Sequence, residues 1–327
     1  MPNVKNWRVL PYCDSATAVT FNLIAPMRNS RVTWLPDYHR EEYRLLKSCC
    51  YAIGMSQPKP ARTEFPEVGK GISGIRLSYY RDLLRELVVR DMKLRYKRSI
   101  LGIAWSLLNP LLQLLVFSFV FRFIIPLRIP DYTLFLFSGI LMWSWFQASL
   151  YSATSTIVEN PSLIRQPGFP AGILPLVTVM SNTINFLLAL PVLLISVWAS
   201  GHLPNAAIFA LPFVVLVQFV LTLSISYYLA ALHVPYRDTQ YLLGILLMLG
   251  FYLVPIFYNS AAIPARFQPI YRLNPVVGIL EGYRAILLHG QMPNLVPLSL
   301  TFVISLLVLA LGWSVFTRVS YSFIEEL

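Results

Sequence analysis

Charged residues are scarce in this chain. Asp, Glu, Lys and Arg together make up 13% of its 327 residues, whereas apolar residues make up 56%. A soluble domain of this length needs far more charged surface. The apolar residues also lie in long runs and do not alternate with polar ones. The sequence therefore predicts an all-α integral membrane protein.

Recognisable chemistry is also scarce. The three cysteines, Cys13, Cys49 and Cys50, have no metal-ligand spacing, and adjacent cysteines rarely bridge each other. No G-x-x-x-x-G-K-S/T phosphate loop occurs, so the chain does not bind ATP by that route. We therefore expect no catalytic residues, no metal site and no cofactor bound by this chain.

The net charge of +11 is strongly basic, but nucleic acid is not the expected partner. The basic residues are concentrated before the first long apolar run, where the positive-inside rule explains them. No basic domain outside the apolar runs is available to bind nucleic acid.

The chain divides into three zones by composition. Residues 1–70 contain prolines and scattered charges, and we expect a poorly ordered N-terminal extension. A start at Met55 remains an alternative, and residues 15–27 lack the apolar core of a signal peptide. Residues 71–100 predict a cytoplasmic amphipathic interfacial helix, and residues 101–327 predict a six-span membrane domain.

The predicted interfacial helix has two faces. Its apolar face comprises Leu77, Tyr80, Leu83, Leu84, Leu87, Val88 and Leu94. Its charged face comprises Arg81, Asp82, Arg85, Glu86, Arg90 and Lys93. Asp91 is the one polar residue on the apolar side. Beside a membrane span, such a helix is expected to lie in the interface with its apolar face in lipid.

Six apolar runs are long enough to cross about 30 Å of hydrocarbon. They cover residues 103–125, 133–157, 174–199, 206–232, 241–259 and 296–317. The connection 260–295 carries a shorter apolar stretch, Val276 to Leu288, which predicts short re-entrant or interfacial helices. Glu281 and Arg284 lie near each other there at helical spacing.

Charge next to the first run predicts the orientation. Arg90, Lys93, Arg95, Lys97 and Arg98 place the N-terminus in the cytoplasm, and six spans return the C-terminus to the same side. The apolar cores contain no Asp, Glu, Lys or His, so an ion-coupled mechanism has no visible carrier. We expect a transport pathway whose energy comes from a partner.

One predicted cytoplasmic loop suits a docking role. Residues 159–170 are too many for a tight turn and too few for a domain. Asn160 is expected to cap a brief helix that starts at Pro161. The alternative is a plain interhelical loop.

From residue 76 to the end, the sequence resembles the permease subunits of type-2 ABC exporters, specifically the group that exports O-antigen, capsule and teichoic acid. The spacing R-D-x-K-x-R-Y-x-x-S-x-L-G-x-x-W within Leu84–Trp105 carries the resemblance most specifically. Similar stretches are Glu159–Pro175, His233–Asp238 and Leu273–Pro275 followed by Glu281–Arg284.

The resemblance implies the partners. Two permease chains, a homodimer, would assemble in the inner membrane with two ATPase subunits that hold ATP and Mg²⁺. Together they would move a lipid-linked polysaccharide.

It also implies residue roles. Coupling to the ATPase falls to Pro161, Ser162, Leu163, Ile164 and Arg165. The interfacial helix contributes Arg85, Arg90, Asp91, Lys93 and Arg95. The second internal loop contributes Arg237 and Asp238, and the external segment contributes Asn274, Pro275, Glu281 and Arg284.

Aromatic residues are dense in three of the runs. The candidates for lining a glycan path are Phe117, Phe121, Trp143, Trp145, Phe251 and Tyr252. Sugar rings present apolar C–H faces to such side chains, but interface belts and helix contacts also use aromatics. Two alternatives stay open: a type-2 permease for a drug or another lipid, and a membrane-embedded glycosyl- or phosphotransferase that uses Arg237 and Asp238.

Overall fold

The structure is a computed structural model. It describes residues 72–97, 99, 102, 104–120, 131–166, 168–201, 205–260, 263–321 and 323–326, which belong to one compact unit. The predicted extension, residues 1–70, and the candidate Phe121 lie outside these ranges. Within them every regular element is a helix, which confirms the all-α prediction.

Eleven α-helices and one 3₁₀ helix occur in the described ranges. The first five are α1 (Ile72–Tyr96), α2 (Ala104–Phe119), α3 (Tyr132–Glu159), α4 (Pro161–Ile164) and α5 (Ile173–Ala199). A 3₁₀ turn, Ala206–Ala210, leads into α6 (Leu211–His233). The remaining helices are α7 (Thr239–Leu253), α8 (Gln268–Leu273), α9 (Pro275–Leu287), α10 (Leu295–Val319) and α11 (Phe323–Glu326).

Four helices in the described ranges are long and apolar enough to cross a membrane: α3, α5, α6 with its 3₁₀ turn, and α10. The predicted first span is described only as the 16 residues of α2. The predicted fifth span, 241–259, is helical only as far as Leu253. Pro255 cannot donate a helical hydrogen bond, and α7 ends just before it after 15 residues, about 22 Å. The membrane prediction holds, and the count of six spans stays a prediction.

The long helices have two common ends. At one, α4, α11 and the adjoining ends of α3, α5, α6 and α10 share a hydrophobic cluster that includes Ile157, Ile164, Tyr227, Phe316 and Phe323; we call this the α4 end. At the other, α9 packs against the first turns of α3, α6 and α10, and we call this the α9 end. Helix α1 packs on α5 near the α4 end.

Burial identifies α3 as the central helix. In its most apolar stretch 78% of the residues are buried, compared with 17% in α10. Helix α3 contacts α2, α5, α6, α7 and α9. Helix α10 contacts mainly α6 and directs most of its apolar side chains outward, as a helix facing lipid does.

The seam between α10 and α6 relies on small residues. Leu298, Ser305 and Gly312 are buried at intervals of seven and form one stripe of α10. A Cβ placed on Gly312 would lie 2.9 Å from a ring carbon of Tyr228 on α6. Because the Tyr228 hydroxyl donates to the carbonyl of Val308 at 3.2 Å, that ring is not free to swing away. Close approach of backbones is the usual basis of helix association in lipid.

This seam gives the first prediction. We expect Gly312→Ala to destabilise the protein by about 1–3 kcal/mol, because the added methyl overpacks the α6–α10 contact. The matched control is Gly244→Ala in α7, where a Cβ would meet nothing within 4 Å. Both changes raise helix propensity equally. The measurement is the melting temperature in detergent, and equal melting temperatures would refute the close-packed seam.

Candidate functional site

Helix α4 is a short element fixed on one side and open on the other. It starts at Pro161 as expected, but Asn160 does not cap it: its Nδ2 donates to the carbonyl of Thr156 at 2.9 Å. This bond closes the last turn of α3. The backbone carbonyl of Asn160, not its side chain, accepts from the N–H groups of Leu163 and Ile164, at 3.1 and 3.3 Å. The predicted cap is therefore wrong, whereas the helix is present.

The side chains of α4 divide by burial. Ile164 is 5% exposed and belongs to the hydrophobic cluster of the α4 end, with the half-buried Leu163 beside it. Ser162 and Arg165 are exposed, and Pro161 is half-buried. A force on the outer side of α4 is therefore applied to a helix anchored among α3, α5, α6 and α10.

Helix α1 packs part of its apolar face on α5. Leu87 and Val88 are buried against Ile173 and Val177 of α5. Tyr80 and Leu94, from the same predicted face, remain exposed. The face expected to lie in lipid is thus shared between α5 and the surroundings. The interfacial location itself stays a prediction.

A polar tie continues this contact toward the end of α1. Asp91 and Arg95 form an ion pair at 3.0 Å, and Arg95 donates to Oδ1 of Asn182 at 2.7 Å. The hydroxyl of Tyr96 donates to Oδ1 of Asn185 at 2.9 Å. Asp91 therefore lies on the apolar side because it orients the arginine that reaches α5.

Sequence reasoning missed Asn182 and Asn185. Both lie within an apolar run and carry no charge, so a search for ionisable residues passes over them. The signal was available, because an amide in a span needs a hydrogen-bond partner. The other candidates on α1, Arg85, Arg90 and Lys93, are exposed.

Arg237 and Asp238 lie in the turn between α6 and α7, and both are exposed. The described part of the chain shows ion pairs at Arg81–Asp82 and Arg95–Asp91, but none that joins Arg237 to Asp238. Because the two side chains are exposed and form no ion pair with each other, they give little support to the transferase alternative, which needs a catalytic acid–base pair. They remain candidates for surface contact.

The start of α9 follows the expected capping chemistry. Oδ1 of Asn274 accepts from the N–H of Val276 at 3.0 Å, and Pro275 occupies the first helical position. The segment is 13 residues long, too short to span the bilayer. Whether it is re-entrant stays a prediction.

Arg284 is the most informative residue of this segment. It is 6% exposed, and its two Nη atoms donate to the carbonyls of Pro255 and Ile256, each at 2.7 Å. Its guanidinium lies 3.4 Å from the ring centre of Phe135, in cation–π geometry. A Cβ on Gly139 would lie 3.2 Å from this guanidinium, so the small residue gives it room.

The expected neighbour of Arg284 behaves differently. Glu281 is exposed, and the described residues show no ion pair between the two. Burial lowers the pKa of Arg284 to about 9, and the charge of Glu281 opposes that shift. The guanidinium therefore stays protonated at neutral pH and donates hydrogen bonds to the backbone carbonyls just after α7.

Four of the aromatic candidates lie together. Phe117 of α2, Trp143 of α3 and Tyr252 of α7 all contact Phe251, with ring centres 5.9, 6.2 and 5.6 Å from its own. Phe257 and Tyr258 extend this aromatic row beyond α7. Sequence reasoning noted the residues but not their contacts across three helices.

Trp145 does not join the aromatic row. It is buried on another side of α3, where it stacks on Phe186 of α5 at 4.5 Å. Residues two apart in a helix point about 200° apart, so Trp143 and Trp145 cannot share a face. Both tryptophans are buried, and of the two Trp143 is the one that contacts the aromatic row.

The carbonyl contacts of Arg284 give the second prediction. We expect Arg284→Met to destabilise the protein by about 3 kcal/mol, because two bonds from a charged donor are lost and their carbonyls stay buried. Arg284→Lys should recover only part of this, since an ammonium cannot reproduce the planar fork. The control is Arg266→Met, an exposed arginine whose charge lies over the adjacent Phe267 ring. The measurement is the melting temperature of each variant in detergent. An equal decrease for Arg284→Met and Arg266→Met would contradict the role assigned to Arg284.

Comparison with known proteins agrees with this architecture. Residues 82–288 match the ABC-2 type transporter family. The chain is 36% identical over 254 residues to the O-antigen export system permease protein RfbA of Myxococcus xanthus, which covers 77% of this chain and 97% of that protein. It is 31% identical over 252 residues to the permease of the same name from Klebsiella pneumoniae, with the same coverage.

A more distant relative is the polysialic acid transport protein KpsM of Escherichia coli, 22% identical over 236 residues, or 70% of this chain and 90% of that protein. The family match extends from α1 to the end of α9, and the matches favour a transporter over the transferase alternative. The chain is a multi-pass membrane protein that belongs to the ABC-2 type transporter family.

Proposed function

We propose that this chain is the permease subunit of an ATP-driven exporter that moves a lipid-linked polysaccharide across the inner membrane. The observation that carries the proposal is the 36% identity to an O-antigen export permease along 97% of that protein's length. The match to a polysialic acid transport protein supports the broader class of polysaccharides.

The aromatic row supports a sugar over other cargo. Phe117, Trp143, Phe251 and Tyr252 form a row of contacting rings across three helices, in which Tyr252 is exposed, Phe117 and Phe251 are half-buried and Trp143 is buried. Aromatic faces contact the C–H faces of sugar rings without fixed hydrogen bonds, which suits a chain that must slide. A permease for a drug or another lipid is the competing possibility, and the export experiment below distinguishes them.

A separate ATPase subunit, with ATP and Mg²⁺, supplies the energy in this proposal. The exposed side of α4, marked by Ser162, is its docking surface. Because Ile164 is buried in the hydrophobic cluster of the α4 end, a displacement of α4 is transmitted to that cluster. Helix α1 provides a second route to α5, through Arg95, which pairs with Asp91 and donates one hydrogen bond to Asn182.

In this proposal the α4 end lies in the cytoplasm, together with both chain termini, and the distribution of charge supports that orientation. Exposed basic side chains at that end include members of two helices, α1 and α10, and of two turns: Arg85, Arg90, Lys93, Arg165, Arg237 and Arg318. Positive residues beside membrane spans stay on the cytoplasmic side. The α9 end, with Asn274, Pro275, Glu281 and Arg284, then faces outward.

Two copies of the chain form the permease in this proposal. The outer faces of α2 and α7 are apolar and exposed, as Leu115, Val116, Ile245 and Leu246 show. The aromatic row lies beside these faces. Pairing α2 and α7 of two copies would cover the faces and place the two rows around one path.

The third prediction concerns assembly. A tagged chain, purified in detergent from cells that also express its ATPase, should bring that subunit with it. Light scattering should give a particle with two copies of each. Ser162→Trp should abolish co-purification, because a bulky ring on the exposed side of α4 blocks close approach.

The matched control is Ser200→Trp, an exposed serine at the opposite end of α5. It should leave the complex intact. A chain that purifies alone, or a Ser162→Trp variant that keeps its ATPase, would rule out the proposed coupling surface.

The fourth prediction concerns the cargo. Cells that carry Ser162→Trp should still make the lipid-linked glycan but hold it inside. An antibody or lectin against that glycan should bind intact wild-type spheroplasts strongly and variant spheroplasts only after lysis. Display of the glycan on variant cells would count against polysaccharide export, and failure to make it would count against transport altogether.

A further inference from the structure

An apolar cleft of about 890 Å³ lies at the α4 end, next to the proposed docking surface and sharing Arg165 with the predicted coupling segment. Helix α1, the segment after α4, the start of α5 and the last turns of α10 enclose it. This volume falls within the range of pockets that hold small organic ligands, about 300–1,000 Å³. The cleft is open at one side, so a long ligand can extend out of it.

The inner wall of the cleft is apolar and held in place. The rings of Tyr227 and Trp313 meet edge to face at 5.5 Å, and the Tyr227 hydroxyl donates to the carbonyl of Gly172 at 2.9 Å. A Cβ on Gly172 would lie 2.7 Å from the Trp313 ring, so only glycine allows this close approach. Leu176 and Phe316 line the same wall.

The rim of the cleft carries positive charge. Arg81 of α1 and Arg165 after α4 both line it and both are exposed. Asp82 lies 3.3 Å from Arg81, but an exposed pair between neighbours in sequence holds the guanidinium only weakly. The three groups together leave a net charge of one positive unit at the rim.

The surroundings point to lipid as the occupant. The cleft lies at the end of α10, whose apolar side chains face outward along almost the whole helix. Trp313 is 47% exposed and lines the cleft, and Tyr80 and Tyr321 lie beside it. Tyrosine and tryptophan occupy the headgroup level of a bilayer, where a phosphate and the first carbons of an acyl chain are found.

We propose that the cleft binds one anionic phospholipid of the surrounding bilayer. An acyl chain lies against Trp313, Phe316 and Leu176, and the phosphate lies between Arg81 and Arg165. The inference goes beyond the export function and needs neither an ATPase subunit nor a transported glycan. Its success or failure is therefore separate from that of the proposed function.

The test is native mass spectrometry of the full chain in detergent. The probes are palmitoyl-oleoyl phosphatidylglycerol and its phosphatidylcholine counterpart, added in competition. We expect one phosphatidylglycerol retained per chain, with a preference of about fivefold, the effect of one net positive charge near a membrane phosphate. The double variant Arg81→Gln, Arg165→Gln should lose this preference. The double variant Arg81→Lys, Arg165→Lys keeps the charge and should keep the preference.

The matched control is Arg237→Gln, an exposed arginine in another turn at the α4 end, which should leave the preference unchanged. Equal retention of the two lipids by the wild-type chain would overturn the proposal. So would a loss of the phosphatidylglycerol preference in Arg237→Gln as large as that in the double glutamine variant. So would displacement by soluble glycerol phosphate, which would show a site for an anion without a tail. Expulsion of the lipid by the ATPase subunit would assign the cleft to a subunit contact instead.

Discussion

Hydrocarbon offers a backbone N–H or carbonyl no water to bond with, so a chain within it must satisfy its own polar groups. Most of this protein does so with helices, but α7 stops at Leu253 and leaves carbonyls without helical partners. Arg284 supplies two of the missing donors from α9, at Pro255 and Ile256, and rests on the ring of Phe135. One guanidinium thus fixes the break after α7, the position of α9 and the first turn of α3 together.

The opposite end is held by packing and only then by polar contacts. Ile164 and Phe323 insert into the cluster around Tyr227 and Phe316, so α4 and α11 are fixed to the spans without buried charge. Helix α1 adds Leu87 and Val88, and beyond them the hydrogen bond from Arg95 to Asn182. Helix α5 therefore receives both α1 and α4. Movement of either element is mechanically connected to the same span, which is what a coupled exporter requires.

Sequence alone predicted the elements that depend on composition and missed those that depend on contact. Runs of about 20 apolar residues indicated α3, α5, α6 and α10, because length and hydropathy are local properties. The partners of Arg284 are backbone carbonyls about 30 residues earlier, whereas helical spacing pointed to Glu281. Asn160 illustrates the same limit: its position suits a cap, but Thr156 takes its side chain. The hydrogen bond from Arg95 to Asn182 could be predicted only by knowing that α1 packs on α5, and no residue pattern shows that packing.

The two surfaces at the α4 end are not independent of each other. Helix α4 presents Ser162 to the proposed ATPase, and Arg165, just past its end, lines the apolar cleft. An anionic lipid held there brings a negative charge within one helical turn of the docking surface, where long-range attraction acts on approach. The same lipid fills the space between α1 and α10, which otherwise would meet only across the cleft. If both proposals hold, lipid composition acts on the geometry that the ATPase recognises, through ordinary packing and charge.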